Sequence, residues 1–178
     1  AVEEAKEAAE ATVVSTASEV GNHIGPLVSE LQFTKVQDLI QKGIDEGARL
    51  VTGGVGRPEG LNRGYFVRPT VFADCHNDMQ IMREEIFGPV LSMMPFDTEE
   101  EAIRIANDTD YGLTNYVQTS DPEKARRVAR ELRTGMVDMN GRARASGSPF
   151  GGMKQSGNGR EGGGWGIDEF QIRREWCR

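Results

Sequence analysis

Between Pro89 and Asn140, three short apolar runs alternate with two helices whose first residues announce them. PVLSMMPF (89–96), LTNYVQTS (113–120) and MVDMN (136–140) read as strands. Thr98-Glu99-Glu100-Glu101 is a capping box: the threonine oxygen and the glutamate carboxylate each satisfy a backbone N–H that a helix start leaves orphaned. A helix therefore opens at EEEAIRIAN. Asp121 caps the next, EKARRVARELR, with Pro122 at the first position, where the missing N–H costs nothing, and Gly135 stops it. Short loops throughout this run favour parallel strands with helices packed on the sheet. The fold class is α/β.

The preceding residues add to the same pattern. Ala1 to Thr12 is rich in strong helix formers and lacks an N-cap residue; GNHIGP then breaks the helix. Ser29-Glu30-Leu31-Gln32 is another capping box, and Phe33, Val36, Leu39, Ile40 and Ile44 are expected on one face of its helix. ARLVT reads as a strand ending at Gly53-Gly54. YFVRPTVF is extended, with Pro69 arguing against a central, fully paired position. DMQIMREE reads as a single helical passage.

Composition narrows the partners. A net charge of −7 repels phosphate backbones, and no basic stripe with interleaved aromatics offsets it, so nucleic acid is not an expected partner. No run approaches the ~20 apolar residues of a membrane span. Cys75 and Cys177 form no C-x-x-C pair, and the only histidines are His23 and His76, so neither a metal cluster nor a Ser-His-Asp arrangement is supported. A reducing cytoplasm is the expected compartment.

The glycine-rich tail SPFGGMKQSGNGREGGGWG (148–166) poses a separate question. Gly157, Gly159 and Gly162 spell G-x-G-x-x-G, the pattern of a loop that cradles a dinucleotide pyrophosphate. That chemistry needs a strand leading in and a helix leaving. The lead-in here is Gly-Met-Lys-Gln-Ser and the exit Gly-Gly-Trp-Gly, read as neither strand nor helix. The expectation is instead a loop whose glycines allow close passage of backbone, held by Phe150, Met153 and Trp165, apolar anchors that a flexible linker would lack.

Taken in order, Ile24-Gly25-Pro26-Leu27-Val28, Gly64-Tyr65-Phe66-Val67-Arg68-Pro69-Thr70-Val71, Glu84-Glu85-Ile86-Phe87-Gly88-Pro89-Val90 and Pro149-Phe150-Gly151-Gly152-Met153-Lys154-Gln155-Ser156-Gly157 resemble the C-terminal part of the aldehyde dehydrogenase superfamily. The resemblance implies a three-layer catalytic domain with a mostly parallel sheet flanked by helices over residues 1–168. It also implies a C-terminal oligomerisation strand over 169–178. The implied activity is oxidation of an aldehyde to a carboxylic acid with NAD or NADP, through a cysteine nucleophile and a general-base glutamate.

By the same resemblance, Glu85 accepts hydrogen bonds from the nicotinamide ribose hydroxyls, and Phe87 packs near the nicotinamide ring. Gln32 and Lys35, a helical turn apart, reach toward the ribose, although Gln32 can equally serve the capping box and Lys35 be a surface lysine. Phe150 stands beside the substrate tunnel, or in the core. Arg142 and Arg144 lie in the loop before it, either solvated or positioned to favour an aldehyde bearing a carboxylate.

The family's nucleophilic cysteine, general base and dinucleotide-binding domain lie upstream of the matched segment, and neither Cys75 nor Cys177 occupies the nucleophile's motif. The 178 residues alone are therefore expected to be inactive and to self-associate through surfaces the upstream part would cover. The alternative is a non-enzymatic remnant or assembly module of the same fold.

Overall fold

The structure is a computed structural model in which residues 1–142 and 144–171 are described. The chain divides into two compact units, Ala1–Pro95 and Phe96–Arg178.

The first unit contains helices α1 (Val2–Ala11), α2 (Glu30–Asp45) and α3 (Gln80–Arg83), and strands β1 (Arg49–Thr52), β2 (Thr70–Ala73) and β3 (Val90–Ser92). The sheet order is β1-β2-β3. β1 runs antiparallel to β2, with Leu50 opposite Phe72 and a bulge before Thr52, while β2 is parallel to β3, with Val71 opposite Leu91. Every residue of β2 is buried, and Val36, Leu39 and Ile40 of α2 join Phe72, Cys75, Ile81 and Ile86 in the core. Completely burying Val36, Ile40 and Phe72 contributes roughly 1.5–3 kcal/mol each.

Two expectations are corrected here. β2 is the central strand despite Pro69, because the proline lies just ahead of the first paired residue and the ladder starts at Thr70, whose N–H donates to Pro89 O at 2.9 Å. Ile44 is 36% exposed. The helical period instead brings Gly43 inward, where a Cβ would press on Ile81 Cδ1 at 2.9 Å and Phe72 Cζ at 3.2 Å, so a missing side chain lets α2 lie close to its neighbours.

The second unit carries α4 (Glu99–Asn107), β4 (Thr114–Val117), α5 (Pro122–Glu131), β5 (Met136–Met139) and α6 (Gly163–Asp168). β4 and β5 are parallel, from Thr114 opposite Met136 to Val117 opposite Met139. Among the described residues, two of the three strand pairings are parallel, consistent with an α/β architecture. The expected caps form: Thr98 Oγ1 accepts from Glu101 N at 3.2 Å, and Asp121 Oδ1 accepts from Glu123 N and Lys124 N at 2.9 and 3.1 Å. Glu99 ties the two helices together, accepting from Arg127 at 2.5 Å and pairing with Lys124 at 3.0 Å.

The tail departs from expectation at one point. Gly163–Asp168 is helical although Gly-Gly-Trp-Gly carries no helix signal, a propensity overridden by local contacts such as Gly166 N to Gly162 O at 3.0 Å. No strand leads into the G-x-G-x-x-G run; Lys154–Ser156 is a single 3-10 turn. Close backbone passage is seen directly: a Cβ on Gly151 would overlap the carbonyl oxygen of Gly159, and one on Gly135 would overlap that of Gly151. Of the C-terminal strand expected over 169–178, Glu169 and Phe170 form a turn after α6, and residues 172–178, including Cys177, lie outside the described residues.

Candidate functional site

In the first unit the site begins at the start of α2. Ser29 Oγ accepts from Gln32 N at 3.2 Å, so half of the capping box forms. The Gln32 side chain does not return to the cap. Its Nε2 reaches 54 residues along the chain to Ile86 O, at 3.0 Å, and also donates to Phe87 O at 3.1 Å. One turn on, Lys35 Nζ donates to Glu85 O at 2.8 Å. Three consecutive carbonyls are thereby drawn toward one face of α2, and Ile86 is buried in the core as a further anchor.

This pinning decides where the neighbouring side chains go. Glu84 is occupied locally, accepting from Gln80 Nε2 at 2.6 Å. Glu85 is exposed, and its carboxylate has no hydrogen bond or ion pair among the described residues. Phe87 is 71% exposed at a φ of 56°, a left-handed conformation that bulky residues avoid. A free carboxylate can accept two hydroxyl donors, and an exposed ring offers a flat apolar surface. The structure thus brings Gln32, Lys35, Glu85 and Phe87 together. The first two act through main-chain carbonyls, which motif spacing did not foretell. The left-handed Phe87 also left no signal in the sequence.

The second unit holds Phe150 separately. It is half-buried and forms an antiparallel bridge with Glu161, with N···O distances of 2.8 and 2.7 Å. Beside it a cleft of about 640 Å³ is lined by Leu113, Phe150, Ile167, Phe170 and glycine backbone, with Glu161 and Glu169 also on its walls. Three residues that composition and periodicity did not single out hold the tail in place. Lys154 Nζ donates to Asn107 O and Thr109 O at 3.0 and 2.9 Å, and Ser156 Oγ accepts from Gly112 N at 3.0 Å. One Arg160 guanidinium nitrogen gathers the carbonyls of Gly152, Asn158 and Gly159 at 2.7, 3.0 and 2.9 Å. The available signal was the K-x-S spacing of the quoted motif. Arg144 lies with its guanidinium carbon 5.3 Å from the Phe150 ring centroid.

Cys75 is buried in the core of the first unit. Burial pushes its thiol above the ordinary value; a backbone hydrogen bond at Met93 opposes this, and the charge of Asp74 reinforces it. A thiol so placed is a packing group and a poor nucleophile.

The sequence profile of the Aldehyde dehydrogenase family matches residues 1–175. The chain is 57% identical over 148 residues to the 3-succinoylsemialdehyde-pyridine dehydrogenase of a Pseudomonas species, covering 83% of this chain and 31% of that protein. It superposes on the crystal structure of an aldehyde dehydrogenase from Bartonella henselae with a TM-score of 0.93 at 61% identity, over 95% of this chain and 36% of the other. The same holds for an aldehyde dehydrogenase from Pseudomonas syringae, solved as a mutant with NAD+ and octanal: a TM-score of 0.92 at 47% identity, over 95% of this chain and 35% of that one. The chain spans about a third of the length of these relatives.

Proposed function

Because the chain belongs to the aldehyde dehydrogenase family, we propose that it is the part of an NAD- or NADP-dependent aldehyde dehydrogenase that holds the nicotinamide ribose and one wall of the aldehyde site. The observation carrying this reading is the pinning of Glu85–Phe87 by Gln32 and Lys35, which leaves the Glu85 carboxylate exposed and unpartnered among the described residues. That donor-free carboxylate fits a diol. When bound, the cofactor accepts hydride from the aldehyde carbon. Glu85 would accept the two ribose hydroxyls, Phe87 would cover the adjacent ring, and Gln32 and Lys35 would keep both in place through the backbone. Phe150 would line the approach of an aldehyde in the second unit.

The residues that attack the aldehyde and activate water are assigned to the portion of the relatives that this segment does not match, since Cys75 is buried with a raised thiol. On this reading the 178-residue chain alone oxidises no aldehyde. Exposed Tyr116, Phe96 and Phe170 favour self-association, and a buried free thiol suits a reducing compartment such as the cytoplasm.

Saturation-transfer NMR of the purified chain with NAD+ tests the ribose assignment. Transfer to the nicotinamide ribose protons is expected, and E85Q should weaken it about tenfold through loss of a charged acceptor. Equal transfer in E85Q would remove Glu85 from the role. Aldehyde-dependent NADH absorbance above a protein-free blank would overturn the expectation of inactivity.

A further inference from the structure

The loop between β5 and Phe150 is fixed at both ends. Asn140, at a φ of 58°, accepts from Thr119 N through Oδ1 at 2.9 Å, and Phe150 is locked to Glu161 by its two backbone hydrogen bonds. Between these anchors Ser148 N closes a turn on Ala145 O at 3.1 Å. The turn carries Arg144 onto the Phe150 ring, 5.3 Å from its centroid.

Among the described residues Arg144 makes no ion pair, and its side chain has no partner other than this ring. The contact is a cation–π approach, and no hydrogen bond from the Arg144 guanidinium is present among the described residues. The five N–H donors lie in its plane and stay available, in the fork that matches a carboxylate bidentately. Attraction to the ring restrains the side chain, so less freedom is lost on pairing. Arg160, the arginine that lines the cleft beside Phe150, has a nitrogen committed to three backbone carbonyls. The cleft acids are Glu169, which accepts from Arg160 N at 3.2 Å, and Glu161, whose main chain is bound to Phe150.

We infer that Arg144 is a specificity-determining residue that selects aldehydes carrying a carboxylate at the end remote from the reacting carbon. The inference rests on the reading of Phe150 as a wall of the aldehyde site. The apolar walls would then take the methylene stem and the Arg144 edge the carboxylate. Glu161, the opposing charge, would discriminate against a second acidic group.

The test uses the 178-residue chain and unreactive alcohol analogues, so that no turnover is needed. Binding of 4-hydroxybutyrate, neutral butanol and cationic 4-aminobutanol is followed by saturation-transfer NMR on the ligand signals, a readout that every variant retains. The chain is expected to bind hydroxybutyrate about tenfold more tightly than butanol. Arg144→Gln should erase that preference and leave butanol binding intact, and Arg144→Lys should retain part of it. Equal binding of hydroxybutyrate and butanol, a preference that survives Arg144→Gln, or tighter binding of aminobutanol would each overturn the inference. Phe150→Ala separates the two layers of the argument. Unchanged butanol binding in that variant rejects Phe150 as a wall, while loss of the charge preference alone, in the Arg144 variants, bears on Arg144. Failure of the wild-type chain to bind any of the three counts against both.

Discussion

The Lys35 ammonium donates to the main-chain carbonyl of Glu85 at 2.8 Å, across 50 residues of sequence. With the two bonds from Gln32, it fixes a backbone segment whose side chains are free. Each such bond contributes about 1 kcal/mol net. Lys35→Met, which removes one bond, should therefore speed hydrogen exchange in a peptide spanning 84–89 by about fivefold, and Gln32→Leu, which removes two, by up to about thirtyfold, through easier local opening. Unchanged exchange would mean that the sheet and Ile86 alone hold the segment.

Phe87 gains little from packing and occupies a left-handed backbone well that costs a non-glycine residue about 1–2 kcal/mol. Phe87→Gly should then raise stability by about 0.5–1 kcal/mol, after allowing for the extra chain entropy of glycine. Urea unfolding measures this. A loss of stability would show that the ring is a structural contact and that its conformation is not held for a ligand.

Glycines in the tail should divide sharply. Gly151→Ala places a methyl group on the carbonyl of Gly159 and should cost about 1–3 kcal/mol, because backbone has to move. Gly164 lies in α6 with open space around its Cβ direction, so Gly164→Ala should be neutral or stabilising by up to about 1 kcal/mol. Equal effects in denaturant titrations would contradict the close passage at Gly151.

Hydrogen bonds from Arg127 and then Lys124 hold the Glu99 carboxyl below its ordinary value. A depressed value in the folded state means stability that is fully present above the unfolded carboxyl pKa of about 4.3. It is lost as pH falls through that value toward the folded one. Wild type and Glu99→Gln should consequently differ in melting temperature near neutral pH and converge in acid. A constant offset at every pH would assign the difference to helix packing instead.

Local chemistry made the elements legible. Ser29, Thr98 and Asp121 each cap the helix whose start they mark, and the alternation after Pro89 gives the parallel β4 and β5. Three features escaped because they are settled by hydrogen bonding and packing that propensity does not carry. Pro69 proved compatible with a central strand because the pairing begins one residue later. The inward turn of Gly43 depends on Phe72 and Ile81, and α6 forms where propensity opposes it. At the candidate site, the quoted motifs named Glu85, Phe87 and Phe150. They did not reveal that Gln32 and Lys35 hold carbonyls, since every backbone carbonyl is the same in a sequence. The position of Arg144 over Phe150 was likewise invisible, being the product of how one short loop turns.

The reach of Gln32, 54 residues to Ile86, also orders events in time. Closing so long a loop is an entropic cost that precedes any reward from the contact. Helix α2 can form early from its own cap and periodicity, but it has nothing to grip until β2 and β3 have paired and delivered residues 85–87. The pinned segment that exposes the Glu85 carboxylate is thus among the last parts of the first unit to form during folding, and its appearance signals that the strands behind it are already in register.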